Sequence, residues 1–356
     1  MGLLNLVLNL VAPTAGMVML AFAWPSLVFL HACEWLYRSY AAENMDDKVV
    51  IITGASSGIG EHIAYEYAKR RANLVLVARR EGRLRGIRER ARQMGARQVL
   101  VMAADVVKEE DCRRFVDEAV NRFGRVNHLV NTASLGHTFF FEDATDTSVF
   151  PLLLDINFWG NVNPTYAALP HLRRSNGRVV VNASVENWMP MPRMSLYSAA
   201  KAALTNFYET LRFELGEEVG VTIATHGSIG SEMAGGKFML EEGAEMQWKE
   251  EREVTVTGKH VQEYARQIVN GACRREPYVK PANWYNIFLL YKLFAPDVLG
   301  WTFRLLFLDL GASAATQRKI SPLPLGATRL TEPTSPRKPP LPAPSPEQAS
   351  SPQWQR

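Results

Sequence analysis

The sequence predicts an α/β fold, a doubly wound parallel sheet with helices on both faces. Three observations predict it: β-branched apolar runs of strand length, helical stretches that alternate with them, and a glycine-rich turn after the first run. Strands that are apolar along their whole length are typical of a parallel sheet, which is covered on both faces. An apolar N-terminal segment and a proline-rich C-terminal segment flank this pattern.

The composition is that of an ordinary globular protein, with 47% hydrophobic and 21% charged residues among 356. The net charge of +4 is too small to indicate a nucleic-acid partner. The three cysteines, Cys33, Cys112 and Cys273, are far apart and lack metal-ligand spacing. We therefore expect no metal site and no disulfide framework.

Residues 1–40 predict a membrane or oil-body anchor. No charged side chain occurs from residue 2 to residue 33, and ~20 apolar residues suffice to cross a bilayer. Pro13 and Pro25 are expected to kink or end a helix. A hairpin in one leaflet or droplet monolayer and a single span both fit this pattern. The positive charges follow the segment, which favours a cytosolic downstream domain and is unlike a cleaved signal peptide.

The remainder of the chain divides into three parts. The main domain is expected at 46–276. Apolar helices at 277–320 are expected to contact a partner subunit in a homodimer or a lipid surface. Residues 321–356 contain ten prolines and predict a disordered tail, because such a segment cannot bury enough apolar surface to fold.

Six apolar runs of the main domain predict its strands. They lie at 48–55, 72–79, 97–105, 126–134, 177–184 and 220–227. Helical stretches separate the runs, for example at 60–71 and 109–124. This alternation indicates consecutive βαβ units.

The turn "TGASSGIG", from Thr53 to Gly60, joins the first predicted strand to the first helix of the main domain. Glycines here let the backbone approach a pyrophosphate, and the helix N-terminus offers free N–H donors to that anion. The context predicts a Rossmann dinucleotide site. The residues of this turn expected to contact the dinucleotide are Gly54, Ser56, Ser57, Gly58, Ile59 and Gly60.

The second predicted strand ends in "VLVARR", which bears on the choice of dinucleotide. Arg79 and Arg80 can pair with a 2′-phosphate, so the sequence favours NADP(H) over NAD. The same arginines could instead begin the charged face of the next helix. Asp105, after the third strand, is placed to accept from the adenine amino group or to cap a helix.

Tyr197 and Lys201 in "YSAAK" lie on one helix face, and a neighbouring ammonium is expected to lower the pKa of a phenol. Ser184 precedes Tyr197 by thirteen residues, and Asn157 lies in an earlier helix. This set resembles the Ser, Tyr-x-x-x-Lys and Asn of the short-chain dehydrogenase/reductase family. The resemblance implies that Tyr197 exchanges a proton with the reacting oxygen while Ser184 holds that oxygen.

The same resemblance implies further roles. Lys201 would bind the nicotinamide ribose, and Asn157 would hold a water that connects Lys201 to solvent. Further cofactor contacts implied beyond the glycine turn are Val106, Asn131 and Ala133, together with Tyr197 and Lys201.

The N-terminus and the stretches "DINFWGNV" and "AALPHLRRSNGRVVV" are similar to the oil-body steroleosins of plants, a group of 11β-hydroxysteroid dehydrogenase-like proteins. This implies interconversion of a sterol-type alcohol and ketone with NADP(H), at a lipid droplet or ER surface. A rival hypothesis is a droplet structural or sterol-binding protein that keeps the fold with little activity. A third is a soluble reductase of small carbonyls.

Two positions depart from the family pattern. "NTAS" at 131–134 stands where members usually have Asn-Asn-Ala-Gly, and His226 stands where they usually have Pro. The Cβ and hydroxyl of Ser134 are expected to crowd the nicotinamide ribose, and His226 to loosen the turn beside the nicotinamide. Both changes are expected to weaken cofactor binding without altering the proton-transfer set.

The segment from Ser231 to Trp248 is expected to form a lid over the substrate. Its methionines, Met233, Met239 and Met246, suit an adaptable apolar pocket, although methionines are more often core residues.

Overall fold

The computed structural model describes residues 2–40, 42–56, 58–137, 141–144, 147–192, 194–226, 238–239, 259–280 and 286–305. Ser57 and the predicted tail at 321–356 lie outside the described residues. So does the predicted lid, except for 238–239.

Seven parallel strands form the main sheet, and all six predicted strands are confirmed. They are β1 (Val49–Thr53), β2 (Asn73–Ala78), β3 (Val99–Ala103), β4 (His128–Asn131), β6 (Arg178–Ser184), β7 (Gly220–His226) and β9 (Tyr278–Val279). Their order across the sheet is β3-β2-β1-β4-β6-β7-β9. The sequence analysis did not predict β9, because two residues at a sheet edge are too short for a periodic signal. Two further strands, β5 (Gly136–His137) and β8 (Phe238–Met239), pair separately.

Helices cover both faces of the sheet. The helices of the described residues are α1 (Gly2–Tyr40), α2 (Gly58–Ala68), α3 (Glu81–Gln93), α4 (Glu109–Phe123), α5 (Val149–Leu154), α6 (Gly160–Arg174), α7 (Ser195–Leu215), α8 (Lys259–Cys273), α9 (Asn286–Phe294) and α10 (Pro296–Phe303). Of these, α2, α3 and α8 lie on one face of the sheet and α4, α6 and α7 on the other. Neighbouring strand residues point to opposite faces. Ile52 packs in the core with α2, α3 and α8, whereas Ile51 packs with α4, α6 and α7.

The strand order reverses between β1 and β4, which lie side by side at the centre of the sheet. In open α/β sheets, ligands bind in the crevice outside the carboxyl ends of the strands at this reversal. The glycine-rich turn follows β1, and the "NTAS" segment includes the end of β4. Most of the predicted site residues therefore lie at the carboxyl ends of the strands.

Helix α1 is continuous and exposed, with Pro13 and Pro25 inside it. Neither proline ends the helix, and the expected kink stays a prediction. At 39 residues the helix is about 58 Å long, well beyond a hydrocarbon core of ~30 Å. Residues Leu4–Tyr37 can cross a membrane by length and composition, and an 18-residue window within them has a mean hydropathy of 2.0. A signal sequence has these properties too, so the helix is weak evidence of an anchor.

The two short helices α9 and α10 expose large apolar side chains, among them Leu293, Phe294 and Trp301. Their inner side packs against the main domain, where Leu299 and Phe303 form a buried cluster with residues that follow β6. Part of the apolar segment predicted at 277–320 is thus helical and packs against Val185, which follows the predicted catalytic serine in the chain.

Candidate active site

The glycine-rich turn packs tightly on one side and is open on the other. A Cβ on Gly60 would lie 2.5 Å from the Gly54 carbonyl oxygen and 2.6 Å from Thr132 Oγ1, so only glycine fits there. Thr132 Oγ1 in turn donates to the Thr53 carbonyl at 2.6 Å. Gly58 has a φ of +58°, and a Cβ on it would meet no atom within 4 Å. The turn therefore leaves a cradle beside the start of α2, which fits a pyrophosphate.

Two predicted cofactor residues of this region are joined by a hydrogen bond. Arg80 Nη2 donates to Ser56 Oγ at 3.2 Å, which places the guanidinium over the turn. Arg79 is exposed next to it. The side chain of Ile59 is buried in the core, so this residue can offer only its backbone.

Asp105 and Val106 lie directly beyond β3. The Asp105 Oδ1 atom accepts from Val107 N at 3.2 Å, and the Asp105 backbone N–H donates to Asp111 Oδ2 at 2.7 Å. Asp105 thus stabilises its own turn and does not cap α4, which begins at Glu109. Val106 is buried.

Asn131 is fully buried in a network that ties β4 to the helices behind it. Its Nδ2 atom donates to the Asn161 carbonyl at 3.0 Å and to Thr165 Oγ1 at 2.9 Å. Its Oδ1 atom lies 3.4 Å from Thr53 Oγ1. The side chain predicted to contact the cofactor is therefore engaged in joining the sheet to α6. Ala133, two residues on, packs its backbone against Gly54.

Ser184, Tyr197 and Lys201 come together at the end of β6. Ser184 is the last residue of that strand, and the other two lie in the first turns of α7. Their exposed fractions are 2%, 1% and 0%. Lys201 Nζ donates to the Asn182 carbonyl at 3.0 Å and lies 5.6 Å from the centre of the Tyr197 ring. The three side chains that the family resemblance identified thus lie close together and are buried.

The electrostatics of this place differ from the expectation. Burial raises the pKa of Tyr197 well above its ordinary value, and the charge of Glu186 raises it further. Hydrogen bonds with Ser184 and Ser134 offset these effects only in part. The predicted lowering of this pKa by Lys201 is therefore wrong for the structure as it stands. Burial also lowers the pKa of Lys201, to about 8, although the Glu186 charge acts in the opposite direction.

Asn157 lies in a single π-helical turn, Asp155–Trp159, between α5 and α6. Its Oδ1 atom accepts from Ser134 Oγ at 2.7 Å and from Leu135 N at 3.1 Å. Its Nδ2 atom donates to the carbonyls of Leu135 and Leu153, at 2.7 and 2.9 Å. The side chain thus holds the segment after β4, and its predicted role in binding a water stays a prediction.

Ser134 and His226, the two departures from the family pattern, both contact other side chains of the described residues. The Ser134 hydroxyl donates to Asn157 Oδ1. His226 is the last residue of β7, pairs in register with Ser184, and packs edge-to-face on the Tyr264 ring at 5.8 Å.

Sequence analysis missed Glu186, which lies in the short 3₁₀ turn Val185–Asn187 after β6. The Ser184 hydroxyl donates to a carboxylate oxygen of Glu186. The Glu186 side chain is partly exposed, whereas Ser184 is buried. A carboxylate two residues after a predicted catalytic serine was the signal that could have identified it.

Comparisons with known proteins identify the family of the chain. Residues 48–241 match the short chain dehydrogenase family. The chain is 67% identical over 339 residues to "11-beta-hydroxysteroid dehydrogenase B" of Sesamum indicum, covering 95% of this chain and 92% of that protein. It is 71% identical over 305 residues to "11-beta-hydroxysteroid dehydrogenase-like 5" of Arabidopsis thaliana, covering 85% and 78%. These identities confirm the predicted closeness to the plant 11β-hydroxysteroid dehydrogenase-like group.

A solved structure is also similar, an alcohol dehydrogenase from the archaeon Thermococcus sibiricus complexed with 5-hydroxy-NADP. It has a TM-score of 0.54 and 26% identity, and the match covers 63% of this chain and 89% of that one. The likeness agrees with the parallel sheet and with a nicotinamide cofactor. The chain is an oxidoreductase and belongs to the short-chain dehydrogenase/reductase family.

Proposed function

We propose that this chain is an NADP(H)-dependent hydroxysteroid dehydrogenase that interconverts a hydroxyl and a ketone on a sterol-type lipid. The observation that carries the proposal is the meeting of Ser184, Tyr197 and Lys201 in one buried place beside the crevice at the carboxyl ends of the strands. The names of the plant relatives support a steroid-type substrate. The apolar side chains of α9 and α10 beside the end of β6 support a lipophilic one.

The preference for NADP(H) is supported by the hydrogen bond between Arg80 and Ser56. It brings a guanidinium and a hydroxyl to the glycine turn, where both can donate to a 2′-phosphate. The pyrophosphate would lie on the open side of Gly58, at the start of α2. When bound, the cofactor supplies or accepts a hydride at its nicotinamide ring.

Tyr197, Ser184 and Lys201 would provide the proton transfer that accompanies the hydride transfer. With its pKa raised, Tyr197 is a neutral phenol at neutral pH and can give a proton to a carbonyl oxygen. Ser184 donates to Glu186 in this structure and would turn its hydroxyl to that oxygen to fix its position. Lys201, with a pKa of about 8, is mostly charged at pH 7 and favours negative charge on the reacting oxygen.

We also propose that the enzyme acts at a lipid-droplet or ER surface, with α1 as the anchor and the main domain, 46–276, in the cytosol. The support is the exposed, apolar character of α1. Assembly into a homodimer through the apolar segment at 277–320 stays a prediction.

The first experiment combines cofactor binding with turnover. NADPH and NADH are titrated against the protein by fluorescence, and oxidation of a panel of sterol alcohols is then measured for the wild type and Tyr197→Phe. We expect tighter binding of NADPH, and turnover that falls by about 10³-fold in the variant while NADPH binding is kept. If neither nucleotide binds, the alternative of a droplet structural or sterol-binding protein replaces this proposal.

A further inference from the structure

One carboxylate lies beside the reacting position, and the proton transfer proposed above does not use it. Glu186 accepts a hydrogen bond from the hydroxyl of Ser184, the residue expected to hold the reacting oxygen. The charge of Glu186 is close enough to raise the pKa of both Tyr197 and Lys201. In the part of the chain that the structure describes, no lysine or arginine forms an ion pair with this carboxylate, and its hydrogen-bond donor is Ser184.

The neighbours of Glu186 in its short turn are engaged elsewhere. Val185, directly before it, packs in a buried apolar cluster with residues of α10. Asn187, directly after it, donates through its side chain to Thr205 on α7 at 2.9 Å. Glu186 is the one charged residue of the turn and is partly exposed, whereas Ser184 is only 2% exposed. A substrate that binds beside Ser184 therefore meets a carboxylate next to an apolar cluster.

Substrate binding must break the hydrogen bond from Ser184 to Glu186. A serine hydroxyl has one proton, and a ketone oxygen can only accept. Ser184 therefore has to turn its proton from the carboxylate to the reacting oxygen. A bound sterol also displaces water from the crevice, and a carboxylate that loses both its donor and its water is strongly destabilised. The complex thus needs a second hydrogen-bond donor directly beside the reacting oxygen.

We propose that the substrate itself carries this donor, as a hydroxyl on the carbon next to the reacting carbon, and that Glu186 accepts from it. The inference rests on the proposed function and narrows its substrates to sterol-type vicinal diols and the corresponding hydroxyketones. The two oxygens of a vicinal diol lie about as far apart as two hydrogen-bonded oxygens. Ser184 Oγ and a carboxylate oxygen of Glu186 are themselves hydrogen-bonded, so one diol can reach both side chains.

Binding of a diol exchanges one set of hydrogen bonds for another. Before binding, Ser184 donates to Glu186. After binding, Ser184 donates to the reacting oxygen, and the neighbouring substrate hydroxyl donates to Glu186. A sterol with an isolated hydroxyl offers no second donor, so its binding leaves the carboxylate without one. The loss of a hydrogen bond to a charged group corresponds to roughly 10- to 100-fold in kcat/KM.

The test compares pairs of sterols that differ by this one hydroxyl. One pair is cholestanol and its ring-A diol with both hydroxyls equatorial on adjacent carbons. The other pair is estradiol and the derivative with a second hydroxyl on the adjacent carbon of ring D, on the same face. For oxidation by the full-length wild type with NADP⁺, we expect kcat/KM to be roughly 10- to 100-fold higher for the diol of a pair.

Two variants of Glu186 separate its charge from its place in the fold. Glu186→Leu removes the acceptor at similar size, so the preference for the diol should fall to within about 2-fold of unity. Glu186→Gln keeps an acceptor oxygen without the charge, and its preference should lie between those of the wild type and Glu186→Leu. Glu118→Gln, on the exposed face of α4, is the matched control and should keep the wild-type preference. A variant that is partly unfolded lowers both rates of a pair equally and leaves their ratio unchanged.

The outcomes for the inference and for the proposed function are separable. Equal kcat/KM for both members of each pair in the wild type, or a preference for the diol that persists in Glu186→Leu, overturns the inference and leaves the proposed function standing. A wild type that oxidises neither pair contradicts the proposed function. Equilibrium binding of the radiolabelled sterols to the full-length wild type and Glu186→Leu then decides the inference. Tighter binding of the diol that is lost in the variant supports it, and equal or absent binding overturns it.

Discussion

Ser134 shows how one hydroxyl can have a different consequence from the one its position suggests. The residue replaces a usual glycine, and its side chain was expected to crowd the nicotinamide ribose. In the structure the hydroxyl is bound to Asn157 Oδ1 at 2.7 Å. The side-chain amide of Asn157 in turn accepts from Leu135 N through its oxygen and donates to the Leu135 carbonyl through its nitrogen. The hydroxyl therefore supports the site from within.

Ser134→Gly and Ser134→Ala separate these two interpretations. Both remove the partly buried hydrogen bond to Asn157, so each should lower the free energy of unfolding by about 1 kcal/mol. Neither should tighten NADPH binding appreciably, because the Ser134 hydroxyl is bonded to Asn157 and does not have to move away from the cofactor. Calorimetric or fluorescence titration checks this. If glycine but not alanine tightened NADPH binding tenfold, the Cβ would be the crowding group after all.

Arg80 is the residue on which the choice of dinucleotide depends. Charge-assisted hydrogen bonds contribute about 1.5–3 kcal/mol, so Arg80→Ala should weaken NADPH binding by roughly 10- to 100-fold. NADH has no 2′-phosphate, and its affinity should change little. Arg85→Ala is the matched control, because Arg85 is exposed on α3, the helix that follows Arg80, and pairs with Glu81 at 2.8 Å. Equal losses for both nucleotides would assign Arg80 to the folding of the turn.

At the scale of elements, a hydrogen-bond network of Tyr67, His128 and Glu43 joins the short linker after α1 to the sheet. Tyr67 on α2 donates to His128 Nδ1 at 2.8 Å, and His128 Nε2 lies 3.4 Å from the Glu43 carboxylate. Burial lowers the pKa of His128, so the ring is neutral near pH 7 and its Nε2–H donates to Glu43. Burial alone would raise the pKa of Glu43. The hydrogen bond from His128, the charge that its ring gains at acidic pH, and the charges of Lys48 and Arg275 lower it to about 2.

This network predicts that the free energies of unfolding of the wild type and Glu43→Gln differ in a way that depends on pH. A carboxyl group with a depressed folded pKa contributes stability that is present above its unfolded pKa of about 4.3 and is lost as pH falls through the folded value. Glu43→Gln should therefore cost about 1–2 kcal/mol at pH 7. The difference from the wild type should shrink between about pH 5 and pH 2. Urea unfolding of both proteins across this range measures it, and a constant difference would show that the Glu43 charge contributes nothing.

For the whole molecule, α1 and the main domain are expected to be energetically separate. No part of the apolar span of α1 is buried within the part of the chain that the structure describes, so its removal should leave the core intact. Deleting residues 2–40 should leave the unfolding midpoint of the main domain in urea unchanged. It should also abolish flotation with lipid droplets or microsomes. Continued flotation of the truncated protein would assign membrane contact to the exposed side chains of α9 and α10.

Much of the architecture could be predicted from the sequence, because its signals are local. Strand β1, the glycine turn and the start of α2 follow from an apolar run, from glycines at positions that demand them, and from helical periodicity. The spacing of Ser184, Tyr197 and Lys201 also identified residues that meet in the structure. Strand β9 is two residues long and exists only because β7 lies beside it.

Chemical surroundings could not be predicted, because they depend on groups distant in the chain and on burial. The sequence alone determined which residues would face the crevice: a strand's end and the first turns of a helix place Ser184, Tyr197 and Lys201 at the same edge of the sheet. Tertiary structure decided the rest. Burial raised the Tyr197 pKa despite the lysine beside it, because removal from water penalises a phenolate. Packing also turned Ser134 towards Asn157 and closed the hydrogen bond from Ser184 to Glu186.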